Sequence, residues 1–177
     1  MKKRLLACIL TALVGGFSAS AVLADDTLVR FQGAIGDLPV ANVAGVANPD
    51  GTFPDVTRNI VRLVNPAGQI WVISDFMADV KVDGRIRADG QGLLLGGGNA
   101  IGTNGNASVF ATLICEAVAP FIQHSTNLAG VALAANGDFR IDDVLVPTPP
   151  AECDSPVLLI RTTAGGAWFA AGIPKFN

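Results

Sequence analysis

Alternation of apolar and polar residues is the clearest signal in the chain. Phe76, Ala78, Val80 and Val82 alternate with Met77, Asp79 and Lys81, which predicts a strand with one buried and one wet face. Asp83-Gly84 has the composition of a type I′ turn, and Ile86 and Ala88 carry the buried face onto a return strand. Ser108–Cys115 is apolar on both faces and predicts a central strand. Leu28–Gly33 predicts an opening strand, and Asn48-Pro-Asp-Gly51 a turn. Asn59–Val64 and Ile70–Ser74 flank Asn65-Pro-Ala-Gly68 as two more apolar runs. Leu128–Leu133 with Phe139–Leu145, around Asn136-Gly137, predicts a second hairpin. Val157–Ile160 with Trp168–Ile173, around Ala164-Gly-Gly166, predicts a third. Helical periodicity of any length is absent. The fold expected is all-β: an antiparallel β-sandwich of Greek-key type, with a barrel as the alternative.

Two of these runs resemble each other. Ile60–Trp71 aligns without gaps on Val157–Trp168, an Ala-Gly turn placing tryptophan third after glycine in both. Gly51-Thr52-Phe53 and Gly137-Asp138-Phe139 precede them. The alignment reads either as a duplicated hairpin or as the small shared vocabulary of β-turns, and the second reading is preferred. On either reading Trp71 and Trp168 are packing residues rather than a carbohydrate platform.

The N-terminus changes the picture of where this domain resides. Lys2, Lys3 and Arg4 precede the uncharged run Leu5–Gly16, and small residues lead to Val22-Leu23-Ala24 before Asp25. This is the layout of a secretory signal peptide, with cleavage expected after Ala24 and Ala21 as the second choice. The apolar run is shorter than the ~20 residues that span a bilayer. Residues 25–177 then form a single exported domain. Loss of the peptide removes three of the twelve basic residues and none of the fifteen acidic ones, moving the net charge from −3 to −6. Such a balance excludes a nucleic-acid binder with a basic surface. Arg85 and Arg87 are flanked by Asp83 and Asp89, so they read as a solvated strand face. A membrane barrel is not expected, because a chain with no tyrosine and two tryptophans cannot build aromatic girdles.

Cys8 departs with the signal peptide, leaving Cys115 and Cys153. A pair of cysteines in an exported domain predicts a disulfide.

Catalytic and ligating patterns are sparse. The run Gly92–Gly105 has the glycine content of a phosphate loop, but Thr103 stands where lysine is needed and no helix follows. It is expected to be a flexible loop over one end of the fold. His124 is the single histidine and lies beside Ser125, with Asp142 and Asp143 downstream. With no nucleophile elbow, His124 is expected to be an exposed loop residue. Asp138, Asp142 and Asp143 are close in sequence, but Asp142 and Asp143 point to opposite faces of a strand. Glu116 and Glu152, each next to a cysteine, would be drawn together by the disulfide. The acidic turn Asn48–Asp55 lacks the ligand spacing of a calcium loop. No catalytic, cofactor or metal site is expected.

Phe31-Gln-Gly33-Ala34, Leu38-Pro39-Val40 and Ala44-Gly45 resemble the opening of the chordin-type (CHRD) secreted β-domains, and Leu158–Gly172 lies where those domains have their last strand pair. The histidines that mark that family are missing, Ala111–Cys115 standing in their place, so no functional residue carries over. The resemblance implies a secreted antiparallel β-sandwich. The expected function is an exported, non-catalytic protein with a structural or binding role. A pilin-like subunit of a surface polymer is the alternative, and an extracytoplasmic hydrolase ranks third. Against the pilin reading, Ile173-Pro174 is expected to interrupt any terminal donor strand.

Overall fold

The computed structural model describes residues 26–44, 48–51 and 55–175, so the signal segment and its cleavage site lie outside the described residues. Within them every regular element is a strand. In chain order these are β1 (Thr27–Gly36), β2 (Val40–Ala44), β3 (Asp55–Arg58), β4 (Trp71–Val72), β5 (Asp75–Lys81), β6 (Arg85–Gln91) and β7 (Leu94–Leu95). There follow β8 (Ser108–Ile114), β9 (His124–Ser125), β10 (Val131–Ala132), β11 (Phe139–Val144), β12 (Val157–Thr162) and β13 (Trp168–Lys175).

One 9-stranded antiparallel sheet dominates, in the order β10-β8-β12-β13-β1-β5-β6-β11, with β9 also on β8. β9 and β10 are two pieces of one interrupted strand, because both pair with the edge of β8 that faces away from β12. The sheet then curls back on itself. Ser125 of β9 and Val146, just past β11, exchange backbone hydrogen bonds of 3.0 and 2.9 Å. Asn127 N donates to Asp143 Oδ2 at 2.8 Å along the same seam. The result is a nearly closed barrel, the alternative form of the expected all-β fold.

Strand alternation fills the barrel. Phe76, Ala78 and Val80 of β5 are buried, as are Ile86 and Ala88 of β6, Phe139 and Ile141 of β11, and Leu158 and Ile160 of β12. They belong to one apolar cluster with Phe31 and Leu113. Gly90 lies opposite Phe139, whose ring fills its side-chain position so fully that a Cβ there would sit 2.2 Å from the ring. The outer face of β1, β5, β6 and β11 carries Arg–Asp and Lys–Asp pairs instead of a lipid-facing apolar band.

The hairpins at Asp83-Gly84 and Ala164-Gly-Gly166 form as expected, joining β5 to β6 and β12 to β13, but the first is not a type I′ turn: Gly84 has a positive φ and Asp83 does not, and Gly84 N donates to Lys81 O at 3.0 Å. The middle hairpin does not form. β10 pairs with β8 and β11 with β6, so beyond the Ala134–Gly137 turn the two strands part to different neighbours across the seam. Pro174 is also placed differently from expectation: β13 runs through it to Lys175, with Pro174 opposite Phe31. It lies beyond Gly172, the last residue of β13 paired with β12, where a missing N–H leaves no ladder bond on that side unmade.

Asn59–Val64 is a strap rather than a strand. Its only bridge joins Val61 to Val64, with Arg62 and Leu63 at positive φ (47° and 66°). Val61 and Val64 lie face-on over Ile114, Leu159 and Trp168, covering the outside of β8, β12 and β13. Arg62 fastens the strap, donating to Ile114 O at 2.9 Å and to Ser155 O and Oγ at 2.6 Å. This cover explains why β8 and β12 are apolar on both faces. It also decides the internal similarity against a duplicated hairpin: one copy is a hairpin, and the other is the strap on top of it, joined at Pro66 and Trp168. Both tryptophans are buried, Trp168 Nε1 donating to Asn59 O at 3.0 Å and Trp71 stacking on Phe169.

The glycine-rich stretch 92–105 folds over one end of the barrel. Leu93 is fully buried, and Gly96 N, Leu95 N and Gly102 N donate to Ile70, Thr103 and Leu95 carbonyls at 2.8–2.9 Å. Cys115 and Cys153 are bonded to each other, tying the end of β8 to the loop before β12.

Candidate functional site

The outer face left open by the strap begins at β12. The unbroken register of β12 with β8 sets Arg161 opposite Phe110 and above its ring, 5.1 Å from the centroid, while the pairing with β13 on its other side is bulged between Ile160 and Arg161. Three acceptors hold the guanidinium: Nε donates to Gly166 O at 2.7 Å, and Nη1 to Gln123 Oε1 at 2.7 Å and Thr112 Oγ1 at 3.2 Å. Nη2 donates to none of the described residues, and Arg161 has no ion pair among them. Burial pushes its pKa below the ordinary guanidinium value, with no carboxylate nearby to hold it up. Arginine nonetheless stays charged near neutrality.

Arg161 lines one side of a groove of about 830 Å³ that crosses the barrel seam from β12 over β8 and β9 to the end of β11. Phe110 forms part of the floor. Leu128, Val144 and Val146 supply exposed apolar side chains (62%, 45% and 69%). Its volume is within the ~300–1,000 Å³ typical of small-molecule sites.

The hydroxyls in the groove have a direction. Thr112 is fully buried and accepts from Arg161, and its Oγ1 is 2.9 Å from Ser125 Oγ. A buried hydroxyl proton needs an acceptor, so Thr112 donates to Ser125. The Ser125 proton is then available to the groove.

The residues singled out from the sequence are dispersed. His124 is buried (3% exposed), not exposed in a loop as expected: β9 inserts it into the seam opposite Leu113. Its Nδ1 lies 2.7 Å from Pro147 O, which can only accept, so Nδ1 carries the proton. Its Nε2 is buried without a partner among the described residues. His124 and Ser125 are neighbours on β9 and point to opposite faces, and no hydrogen bond joins them among the described residues, so the adjacent pair forms no nucleophile and base. Asp143 caps the Asn127 and Val144 amides, while Asp138 accepts from Gly92 N and Asn136 Nδ2. Glu116 accepts from Ile122 N at 3.1 Å, and Glu152 is exposed. Arg85 and Arg87 pair with Asp83 and Asp89 on a solvated face. Among the described residues no three His, Cys, Asp or Glu side chains gather as a metal site, and Asn48–Asp55 lies partly outside those residues.

Arg161 escaped the sequence reading. Its signal was a lone cation closing the apolar run Val157–Ile160, just before the Gly165-Gly166 turn that supplies its carbonyl partner. Asp37 escaped as well. It is fully buried, and neither carboxyl oxygen has a hydrogen-bond donor among the described residues. Burial raises its pKa to about 7; the Ala67 amide, committed to Trp168 O at 3.2 Å, and the Arg58 charge pull only partly the other way.

Comparison with protein-family models, with curated proteins and with solved structures finds no match to this chain.

Proposed function

We propose that this is an exported, non-catalytic β-barrel protein whose role is to bind a small molecule, with the groove around Arg161 as the binding site. The observation that carries the reading is the guanidinium itself. A half-buried cation with three neutral acceptors and no counter-charge is costly unless something completes it. It also faces the largest groove among the pockets described. Binding fits better than catalysis because the candidate base, His124, is buried with Nδ1 on Pro147 O and shares no hydrogen bond with Ser125 among the described residues. The pilin-like alternative fares worse. Strand donation needs a long open edge, and here the Ser125–Val146 bridge brings the two ends of the nine-stranded sheet together.

Export rests on the basic and apolar N-terminal run and agrees with a disulfide-bonded domain. No helix among the described residues is long and apolar enough to cross a membrane. A secreted β-domain is also what the CHRD resemblance implies. Intact-mass measurement of protein recovered outside the cytoplasm should give a chain starting at Asp25; a chain retaining Met1 contradicts export by this route.

The binding role is tested by amide chemical shifts during a fragment screen. Binding fragments should perturb Ser125, Val146 and Gly166 together. Hits scattered over the surface, or no hits at all, would remove the groove as a site.

A further inference from the structure

The groove has a chemical polarity from one side to the other. Its β12 side presents Arg161 Nη2, and its β9 floor presents the Ser125 hydroxyl proton, two donors with no acceptor of their own. Its far side, at the end of β11, is apolar at Val144 and Val146, and Leu128 overhangs from the loop between β9 and β10. The acid in the lining, Asp143, belongs to the β11 side, with its two oxygens accepting from the Asn127 and Val144 amides. Strand order therefore separates the cation from the acid by the width of β8 and β9. An anionic group is favoured at the β12 side and disfavoured at the β11 side.

Backbone hydrogen bonding narrows the ligand further. Along the lining, Ser125 N and Val146 N bond each other's carbonyls. Gly165 N and Gly166 N bond Thr163 O and Thr162 O, and Asn127 N and Val144 N bond Asp143. None of these amides is left to pair with a peptide backbone, whereas the exposed aliphatic side chains suit a chain with no polar groups of its own.

We infer that the groove binds an acyl carboxylate, its head on Arg161 Nη2 and Ser125 Oγ and its hydrocarbon tail across Val144, Val146 and Leu128. This rests on the binding role proposed above and names its ligand class. Phe110 beneath the guanidinium and the three acceptors around it hold the fork in place, so its binding geometry exists before the ligand arrives.

The test is a set of amide-shift titrations of the mature protein with decanoate, decanol, decyltrimethylammonium and acetate, and with acetyl-Ala-Val-Leu as a peptide carboxylate. Decanoate should bind tightest and perturb Gly166, Ser125 and Val146. Acetate, lacking a tail, and decyltrimethylammonium, carrying the wrong charge, should each be weaker by about tenfold or more. Arg161→Gln should cost decanoate a similar factor while leaving decanol unchanged. Because Arg161 also braces the Gly166 turn, Leu128→Glu provides a second variant on an exposed loop; it too should weaken decanoate by about tenfold, through lost tail contact and repulsion. Decanol or the cation binding as well as decanoate would overturn the anion assignment and leave the groove a binding site. The peptide binding more tightly than decanoate would overturn the acyl assignment. No binding of any probe at the groove would overturn both this inference and the binding role.

Discussion

Between about pH 4 and pH 7 the folded protein should lose on the order of 4 kcal/mol of stability because of Asp37 alone. The carboxyl titrates at its ordinary 3.8 in the unfolded chain and at about 7 when folded. Across that window the unfolded state has released a proton that the native state keeps, so stability falls as pH rises and levels off above the folded value. The cause is the placement of the side chain. Just past the end of β1, the Asp37 backbone bonds Phe169 O through its N–H and Trp71 N through its carbonyl, which fixes the residue in the interior with neither carboxyl oxygen hydrogen-bonded among the described residues. Asp83 and Asp89, whose pKa values are lowered by Arg85 and by Arg140 and Arg87 against the effect of burial, act in the opposite sense but below pH 4. Urea unfolding at stepped pH, with the disulfide intact, reads the slope. Asp37→Asn keeps the shape and cannot ionise, so its stability should be nearly flat over the same window and exceed that of the parent at pH 8. Parallel pH curves for the two proteins would show that Asp37 is not the source.

Local signals made much of this fold legible. The alternation over Phe76–Val80 and the position of the turn at Asp83-Gly84 need only neighbours in sequence, and both appear where expected; Val82, expected on the buried face, lies past the end of β5 and is exposed. The two-sided apolarity of Ser108–Cys115 identified a central strand, although what covers its outer face comes from the strap, some fifty residues earlier. Apolar content alone could not separate that strap from a strand, because burial against a sheet face and pairing at a sheet edge demand the same residues. The middle hairpin failed for a related reason. Its turn is local and correct, but which strands pair beyond it is decided by barrel closure, and closure depends on Ser125 meeting Val146. The candidate site depends on the same seam. Arg161, Phe110, Ser125 and Val146 come together only when β12, β8, β9 and the end of β11 are neighbours. The seam also buried His124, which the polar residues around it had marked as exposed.

The disulfide joins sequence, stability and compartment most directly. Replacing both partners, Cys115→Ala with Cys153→Ala, should lower stability by roughly 2–4 kcal/mol and leave the barrel intact. The bond closes a loop of sequence separation 38. Opening it returns conformational freedom chiefly to the unfolded chain. The native barrel has other ties at the same place: Ser155 N donates to Cys115 O at 3.0 Å, and Arg62 grips both Ile114 O and Ser155 O. These bonds involve backbone atoms that the double variant keeps, so β8 and β12 should remain paired. Pro147, Pro149, Pro150 and Pro156 limit what the loop before β12 can contribute to any ladder, so the covalent tie carries more of its anchoring than it would in a strand. Urea midpoints should therefore fall while far-ultraviolet circular dichroism stays strand-like, and amide exchange should quicken first between residues 147 and 156. Thiol titration of the unfolded, unreduced parent should find no free thiol. Two free thiols, or a double variant as stable as the parent, would mean that the strap and its arginine hold this end of the barrel without covalent help.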